Sequence, residues 1–300
     1  MPSRYIISTT PEAIQSKFAL RGAAEATSSP QGETPNQPDF NNYNISPGQY
    51  APVITNVNPH EIQLFKFGLT PFWAKSEMNL FNARAEGDYN QEDNPGSSVA
   101  KGIILKKAFR KPIRSQRCIV IASAFIEGPL SLGLSQPYLI YLRNHQNPFA
   151  IAGIWDTWLN PKTGFPENSF SIITTTANSL LRQIGNPRMP VILSDSEAKR
   201  WINSGTELSR ITSMLNHYDS KLMNAYPIDP RIKDPAANDK QLLHPTGNRL
   251  LVEEKPVLRA PYSSGYYHSR KTLRDHDPFV AYIEKSSANK SKENPGNIKQ

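Results

Sequence analysis

Cysteine is almost absent from this 300-residue chain, which contains Cys118 alone. A single thiol cannot form an internal disulfide or a multi-thiolate zinc or iron–sulfur site, so we expect a reducing compartment and no metal. Long apolar runs are absent as well: residues 119–126 form the longest, whereas a membrane span needs ~20 residues. The first residues lack the basic and apolar pattern of a secretory signal, so we expect a cytoplasmic protein with no membrane partner.

Acidic residues are the scarcer charged class: 26 Asp and Glu face 34 Lys and Arg, and the formal net charge is +8. This excess favours a polyanionic partner. The 26 prolines predict many loops and argue against a helical bundle or a coiled coil. A chain of this length can bury a substantial core in one large domain or two modest ones.

Short β-rich runs separated by turn residues predict most of the core. They are residues 5–8, 52–55, 63–69, 117–126, 137–143, 149–155 and 169–175. Because strands and helices are interspersed without a regular alternation, the pattern favours an α+β fold over a doubly wound sheet. Residues 23–42 are polar and lack periodicity, which indicates a surface insertion. After residue 230 the chain becomes irregular, and its last fifteen residues or so have the composition of a disordered tail.

Local capping signals predict three helices. Thr10 opens the first, which we expect to end before Gly22. Residues 177–184 form the second, ahead of a glycine. Ser194 and Glu197 have the spacing of a capping box, which opens the third helix.

Positive charge is concentrated in one segment that contains no acidic residue. Its seven basic residues are Lys101, Lys106, Lys107, Arg110, Lys111, Arg114 and Arg117. A focused patch of this kind can neutralise several phosphates and bind nucleic acid in a salt-dependent way. The alternative is a solvated amphipathic face with Leu105, Ala108 and Phe109 turned inward, and charge runs are more often of this second kind.

Phe72 and Trp73 follow Pro71 in a turn-rich segment. If both rings are exposed, they form a stacking platform for unpaired bases, worth ~1–3 kcal/mol per base. The alternative is that both lie in the core, which is the more common fate of large aromatic side chains. The sequence leaves both interpretations open.

Eight short segments, in this order and spacing, resemble the SRAP family (SOS response-associated peptidases, the abasic-site processing proteins). They are residues 43–49, 67–74, 82–86, 117–120, 125–127, 152–155, 172–178 and 188–193. The resemblance covers roughly residues 1–235 and implies one α+β domain with a barrel-like mixed β core and peripheral helices. An irregular extension then follows over 236–300. The resemblance also implies a monomer without cofactor that binds abasic sites in single-stranded DNA during the DNA-damage response, in the cytoplasm or at a bacterial nucleoid.

The residues that the family uses at its site are partly retained. Members typically begin Met-Cys-Gly-Arg, and removal of the Met exposes a Cys whose amine and thiol condense with the abasic aldehyde into a thiazolidine. An Asn in an Asn-Ala-Arg motif and a Glu that ends the central strand complete the pocket, and Asn82 and Glu127 match them. The resemblance also assigns Arg4, Arg84 and Arg188 to phosphates near the lesion.

Three positions depart from the family's pattern. Pro2 stands where the nucleophilic Cys would be, and Asn186 stands where the family has a His two residues before Arg-Met-Pro. Gly128 replaces the Trp that tends to follow the Glu. Cys118 lies inside an apolar strand run, so we expect an inert core thiol that replaces neither missing residue.

The remaining chemistry centres on Pro2. After removal of Met1, its secondary amine, with a free pKa of about 8, can form an iminium with the abasic aldehyde. No thiol closes the ring, so we expect a transient Schiff base or lyase rather than a lasting crosslink. Glu127 would act as general acid and base, Asn82 would position the N-terminal residue, and Asn186 would be structural or contact DNA.

Two hypotheses of different classes follow, with a weaker third. The first is an enzyme of the peptidase, hydrolase or lyase type that acts on abasic sites through Pro2. The second is a catalytically inactive module that still binds single-stranded DNA, and the third is a scaffold that has lost DNA binding. The predicted DNA contacts are Arg4, Phe72, Trp73, Arg84, Lys106, Lys107, Arg110 and Arg188.

Overall fold

The computed structural model describes residues 3–20, 40–88, 102–143 and 147–250. Thirteen strands and five helices lie in these residues, which confirms the predicted α+β class. The strands are β1 (Arg4–Ser8), β2 (Asn41–Ile45), β3 (Tyr50–Thr55), β4 (Gln63–Phe67), β5 (Asn82–Arg84), β6 (Arg117–Ala122), β7 (Ala124–Glu127), β8 (Tyr138–Leu142), β9 (Phe149–Leu159), β10 (Pro166–Thr176), β11 (Arg188–Pro190), β12 (Ile192–Leu193) and β13 (Met223–Pro227). The helices are α1 (Pro11–Phe18), α2 (Pro112–Ser115), α3 (Ser179–Ile184), α4 (Asp195–Ile202) and α5 (Leu208–Ser213).

Five strands close into a barrel, as the resemblance implied. The order is β10–β4–β3–β6–β9, and pairing of β9 with β10 completes the ring. Only the β4–β10 neighbours in this ring are parallel, with Lys66 beside Ser169, so the sheet is mixed. Strands β5 and β11 add to β10, and β12 adds to β9.

A second sheet, ordered β13–β8–β7–β1–β2, lies against the barrel. Successive residues of a strand point to opposite faces. Accordingly Tyr5 and Phe125 belong to the main core, whereas Ile6 and Ile126 belong to a smaller cluster on the other face. By the same alternation, the Glu127 side chain follows Phe125 toward the barrel side.

The main core is apolar and aromatic at its centre. Phe67 stacks on Phe170 with ring centroids 5.1 Å apart, and Tyr5 meets Phe67 edge-on at 5.6 Å. Offset and edge-on ring pairs are the favourable arrangements for aromatic side chains. The smaller cluster includes Leu242 and Leu243, so the irregular segment beyond residue 230 packs on the second sheet.

The predicted capping signals are confirmed at the helix starts. Thr10 accepts a hydrogen bond from the Ala13 amide ahead of α1, and Ser194 and Glu197 form a complete capping box ahead of α4. Asn178 caps α3, so this helix begins two residues later than predicted. The expected end of α1 was wrong: it stops at Phe18, and Gly22 lies outside the described residues.

Three other expectations about the chain are corrected. The predicted insertion extends too far, because Phe40 is buried and β2 begins at Asn41, while residues 23–39 lie outside the described ranges. The run 117–126 forms two strands, β6 and β7, which are separated at Ser123. The Ser123 hydroxyl accepts a hydrogen bond from the backbone amide of Ser8, at the end of β1. Leu105 faces solvent rather than the core, with 60% of its surface exposed.

No helix in the described part of the chain has the length and apolar character required to cross a membrane. The predicted disordered tail lies outside the described ranges.

Candidate active site and nucleic-acid interface

Glu127 ends β7 at the point where the chain's first strand begins. Antiparallel pairing places Arg4 opposite Ile126, so the start of β1 lies alongside Glu127. The carboxylate is buried, at 4% exposure. Asn186, at the end of the turn after α3, donates from Nδ2 to Glu127 Oε2 at 2.9 Å and to Gly128 O at 2.9 Å. The structure therefore brings two of the predicted site residues into direct contact.

The buried setting changes the acidity of Glu127. Desolvation disfavours the charged carboxylate and raises the pKa from the ordinary 4.5 to about 7, with the hydrogen bond from Asn186 acting in the opposite direction. Both protonation states are then populated near neutral pH. A group of this kind can both donate and accept a proton.

A chain of hydrogen bonds continues from Asn186 away from Glu127. The Arg188 amide donates to Asn186 Oδ1 at 3.0 Å, which fixes the orientation of the Asn186 amide. The Arg188 guanidinium in turn pairs with Glu86 at 3.0 Å and donates to Thr174 Oγ1 at 3.1 Å. Burial alone would raise the pKa of Glu86, but the charge and hydrogen bond of Arg188 more than offset this and hold the pKa below its usual value.

This geometry does not support the predicted phosphate contact at Arg188. Its side chain is 1% exposed, and the guanidinium faces the buried carboxylate of Glu86, while the backbone amide of Arg188 holds Asn186. Glu86 was missed as a supporting residue. Glu86 is the last residue of the Asn-Ala-Arg-Ala-Glu segment, and its place in that motif is the feature of the sequence that could have identified it.

Asn82 and Arg84 lie on β5, beside the strand that carries Thr174. The pairing of β5 with β10 sets Asn82 opposite Ile172 and Arg84 opposite Thr174. Neither amide atom of Asn82 has a hydrogen-bond partner within the described residues, although both atoms are buried. A buried unsatisfied amide is costly, so it needs explanation in a folded protein. An N-terminal residue or a bound ligand would satisfy it.

Arg4 holds the start of β1 to the segment after β13. Its guanidinium donates to Ser3 O and to Lys233 O, each at 3.2 Å. Burial lowers the pKa of Arg4, and the nearby Asp234 carboxylate acts against this. Arg4 is thus partly engaged in fixing the chain near Glu127.

The aromatic pair lies at the surface. Phe72 is 52% exposed and Trp73 is partly buried. Lys107 Nζ lies 4.1 Å from the ring centroid of Trp73, and Lys111 Nζ lies 4.4 Å from that of Phe72. The two features that the sequence analysis treated separately therefore form one surface of alternating aromatic and cationic groups.

Asp156 anchors this surface from beneath. It is buried, accepts the Phe72 amide at 3.0 Å and accepts Gln116 Nε2 at 3.1 Å. Lys111 Nζ lies 3.9 Å from the same carboxylate. Asp156 could not be predicted from the sequence, because nothing local marks an aspartate within a long strand as the residue that holds a neighbouring loop.

The rest of the basic run serves more than one purpose. Arg110 is exposed, and Lys106 pairs with Asp88 at 2.5 Å. Arg117 is only 1% exposed and donates to the carbonyls of Trp201 and Asn203, at 2.7 and 2.9 Å. Arg117 is therefore a structural residue, and Lys101 lies outside the described residues.

Metal-ligating side chains do not gather in the described residues: no group of three or more His, Cys, Asp or Glu could hold an ion there.

A family model described as SOS response associated peptidase (SRAP) matches residues 1–235. This chain belongs to the SRAP family. Among its relatives, abasic site processing protein YoqW of Bacillus subtilis (strain 168) is 34% identical over 207 residues, which cover 67% of this chain and 84% of YoqW. Abasic site processing protein YoaM of the same organism is 33% identical over 207 residues, covering 67% of this chain and 83% of YoaM.

A solved structure agrees with this SRAP assignment at the level of the fold. The crystal structure of a protein from Bacteroides thetaiotaomicron superposes with a TM-score of 0.64 at 29% identity. The superposition covers 81% of this chain and 98% of that protein.

Within the SRAP family, the departures of this chain concern the nucleophile and the imidazole. Cys118 is fully buried in β6, and burial strongly raises the pKa of its thiol, so it supplies no thiolate to the site. Asn186 occupies the position next to Glu127 that the resemblance gives to a His. Pro2 lies outside the described residues.

Proposed function

We propose that this SRAP-family chain binds abasic sites in single-stranded DNA and reacts with them through its N-terminal residue, with Glu127 as the proton donor and acceptor. The observation that carries the proposal is the position of Glu127: a buried carboxyl with a pKa of about 7 beside the start of β1. The names of the relatives, which are abasic site processing proteins, support the substrate class.

The reaction begins with hydrolysis of the Met1–Pro2 peptide bond, which frees the secondary amine of Pro2. Chain connectivity keeps Pro2 within about 7 Å of Arg4, and Arg4 lies opposite Ile126. The neutral amine attacks the aldehyde carbon of the ring-opened sugar and gives a carbinolamine. Protonated Glu127 then donates a proton to the departing hydroxyl, water leaves, and an iminium forms.

The iminium has two fates that need no thiol. Addition of water returns the aldehyde and the free amine. Alternatively, a base removes a proton from C2′, and the electron pair expels the 3′-phosphate with strand cleavage. Glu127, ionised after its donation, is the base that lies next to the start of β1. Water then hydrolyses the iminium that remains, which returns the amine of Pro2 and releases the unsaturated aldehyde, so the expected product is a cleaved strand rather than a lasting crosslink.

Asn82 and Asn186 position groups rather than react. The buried amide of Asn82, which has no partner among the described residues, would hydrogen-bond to the N-terminal residue or to the opened sugar. Asn186 holds Glu127 Oε2, and its amide cannot transfer protons near neutral pH as an imidazole would. Proton transfer therefore falls to Glu127 alone.

DNA would reach the site along the basic surface. Phe72 and Trp73 present aromatic faces for unpaired bases, and Lys107 and Lys111 lie beside them to neutralise phosphates. Arg110 is exposed nearby in sequence. The SRAP family match and the relatives named abasic site processing proteins support a role in the DNA-damage response.

A second function, that of a binding module without catalysis, is favoured by one observation. Asn186 occupies the place of the family's His against Glu127, so one proton carrier of the family is missing. A module of this kind would keep the aromatic and basic surface and would form no covalent bond to DNA.

Borohydride reduction of a mixture with an abasic single-stranded oligonucleotide tests both functions. If the protein is an enzyme, borohydride traps an irreversible adduct and the strand is cleaved. Glu127→Gln should then strongly lower the yields of adduct and cleaved strand. Glu61→Gln, a control at an exposed site, should leave both yields unchanged. Salt-sensitive binding without an adduct in the wild type favours the module. Absence of binding and adduct at low salt rejects both.

A further inference from the structure

A loop of unusual composition lies directly beside the proposed reactive site. Residues 128–137 (Gly-Pro-Leu-Ser-Leu-Gly-Leu-Ser-Gln-Pro) follow Glu127 immediately and contain no charged side chain. The Leu130 amide donates to Gly185 O at 3.0 Å, one residue from Asn186. Asn186 also donates to Gly128 O at 2.9 Å. The loop is thus bonded at two points to the turn that holds Glu127.

The loop has a fixed shape. The amides of Leu132 and Gly133 both donate to Pro129 O, at 3.1 and 2.7 Å, which closes a tight turn. The turn folds back onto Gly128, where a Cβ would come within 1.9 Å of Gly133 O. Leu134 packs against the smaller core cluster. No side chain fits at position 128, where the family resemblance implies a Trp.

Two leucines of this fixed loop face solvent. Leu130 is 68% exposed and Leu132 is 48% exposed. Surface leucines usually occur singly and need no explanation. Here two lie within three residues, on a loop whose own hydrogen bonds hold it against the reactive site. Because the loop carries no charged side chain, it cannot form an ion pair with a phosphate.

We propose that Leu130 and Leu132 form an apolar contact for the nucleobases on either side of an abasic sugar. The inference rests on the proposed function and deepens it, because it names the part of the substrate that the site recognises besides the aldehyde. A missing base leaves the faces of the neighbouring bases without a stacking partner. Apolar side chains, leucine among them, insert at such interrupted base steps and remove those faces from water.

The loop adds a selectivity that the basic surface cannot supply. Lysine and arginine contacts hold the backbone wherever it lies and do not distinguish an intact strand from a damaged one. The exposed leucine side chains of this loop gain burial only where a gap in the stack admits them. The preference for abasic over intact strands therefore resides in the loop, and the salt dependence resides in the basic residues.

The test compares the wild type with Leu130→Ser/Leu132→Ser by fluorescence anisotropy. Three single-stranded oligonucleotides are used: an intact one, one with a single tetrahydrofuran abasic analogue between adenines, and one with three consecutive tetrahydrofurans. The analogue carries no aldehyde, so binding is measured apart from chemistry. For the adenine-flanked lesion we expect about a tenfold loss of affinity, the order expected for the partial burial of a leucine side chain.

Further measurements identify the cause of the loss. With three consecutive tetrahydrofurans, no base flanks the central sugar, and the double variant should bind as the wild type does. The slope of log affinity against log salt should be unchanged, because no charge has been removed. Val57→Ser, which alters a valine that is 62% exposed elsewhere, should retain the preference for the lesion. Thermal unfolding verifies that the variants fold.

The outcomes separate this inference from the proposed function. Equal affinity of wild type and double variant for the adenine-flanked lesion overturns the inference while borohydride trapping still succeeds. An equal loss on all three oligonucleotides also overturns it, because the loop then contributes no selectivity. A wild type that binds none of them rejects the proposed function and the inference together.

Discussion

Replacement of Glu127 by Gln should stabilise the protein in a pH-dependent way. In the folded state burial raises the pKa of Glu127 from 4.5 to about 7, whereas the unfolded chain exposes the carboxyl to water. Between these two values the folded protein binds more protons than the unfolded one. The free energy of unfolding of the wild type therefore falls as pH rises from 4.5 to about 7.

The magnitude follows from the difference between the two pKa values. At about 1.36 kcal/mol per pKa unit, burial of the ionised Glu127 carboxylate costs about 3 kcal/mol of stability. This cost is fully present above pH 7 and absent below the pKa of the unfolded state. Gln cannot ionise and keeps an acceptor for Asn186 Nδ2, so it removes the cost of burying the charge while it retains that hydrogen bond. The difference in free energy of unfolding between the variant and the wild type should thus be larger at pH 8 than at pH 4 by about 3 kcal/mol, in favour of the variant.

Urea unfolding at pH 4 and pH 8, monitored by tryptophan fluorescence and far-UV circular dichroism, measures this difference. Glu61→Gln, which removes an exposed carboxylate, controls for the loss of one negative charge. A gain from Glu127→Gln that is the same at both pH values would refute the raised pKa, and with it the assignment of Glu127 as the acid and base. The same substitution should abolish trapping, so stability and reactivity change in opposite directions.

Three further sets of substitutions test the reactive residue, the buried ion pair and the basic surface. Pro2→Cys supplies the missing thiol and should convert the transient iminium into an adduct that persists without borohydride. Pro2→Ala supplies no thiol, so its adduct should still need the reductant. If Pro2→Cys forms no lasting adduct although Met1 has been removed, the pocket is not intact. Glu86→Ala leaves the buried Arg188 guanidinium without its carboxylate and should destabilise the fold by about 3 kcal/mol in urea unfolding, whereas Asp88→Ala, at an exposed pair with Lys106, should change it little. Lys107→Gln and Lys111→Gln should each reduce the slope of log affinity against log salt by about 1 for single-stranded DNA. An unchanged slope would show that these lysines do not contact the DNA. Lys199→Gln, at an exposed position on α4, serves as the control.

Local sequence was sufficient to locate the five barrel strands together with β1, β7 and β8, and to place the starts of α1 and α4, but it did not predict β2, β5, β11, β12, β13, α2 or α5. Alternating or continuous apolar runs specify which residues face the core, and Thr10 and Ser194 cap helices through atoms three residues away. Interactions of this range are contained in a short window of sequence. The closure of the barrel followed from the family resemblance, because nothing in a single strand indicates its partners.

The fate of the basic residues could not be predicted in the same way. Arg117 lies in a run of basic residues, yet it is buried because the carbonyls of Trp201 and Asn203, at the C-terminal end of α4, accept hydrogen bonds from it. Arg188, on β11, is buried against Glu86, which follows β5, and both of these strands pair with β10. The formal charge of a residue does not reveal whether a distant carboxylate or carbonyl will meet it in the fold.

In the candidate site too, local motifs predicted some residues, whereas contacts between distant segments could not be predicted. Asn82, Glu127 and Asn186 were identified by position in motifs, and the contact between Asn186 and Glu127 is seen in the structure. The support from Asp156 and Glu86, and the exposed leucines beside the site, depend on contacts between segments far apart in the chain. Those contacts appear only once the two sheets are assembled.

Peptide mapping of the borohydride-reduced adduct is the most direct measurement of whether the start of the chain is the reactive group. The wild-type protein is incubated with an abasic single-stranded oligonucleotide, reduced and digested, and the residue that carries the sugar is identified by mass spectrometry. The account predicts a single modification on the nitrogen of Pro2, in a chain that has lost Met1. Modification of surface lysines such as Lys107 or Lys111, with Met1 still in place, would contradict it.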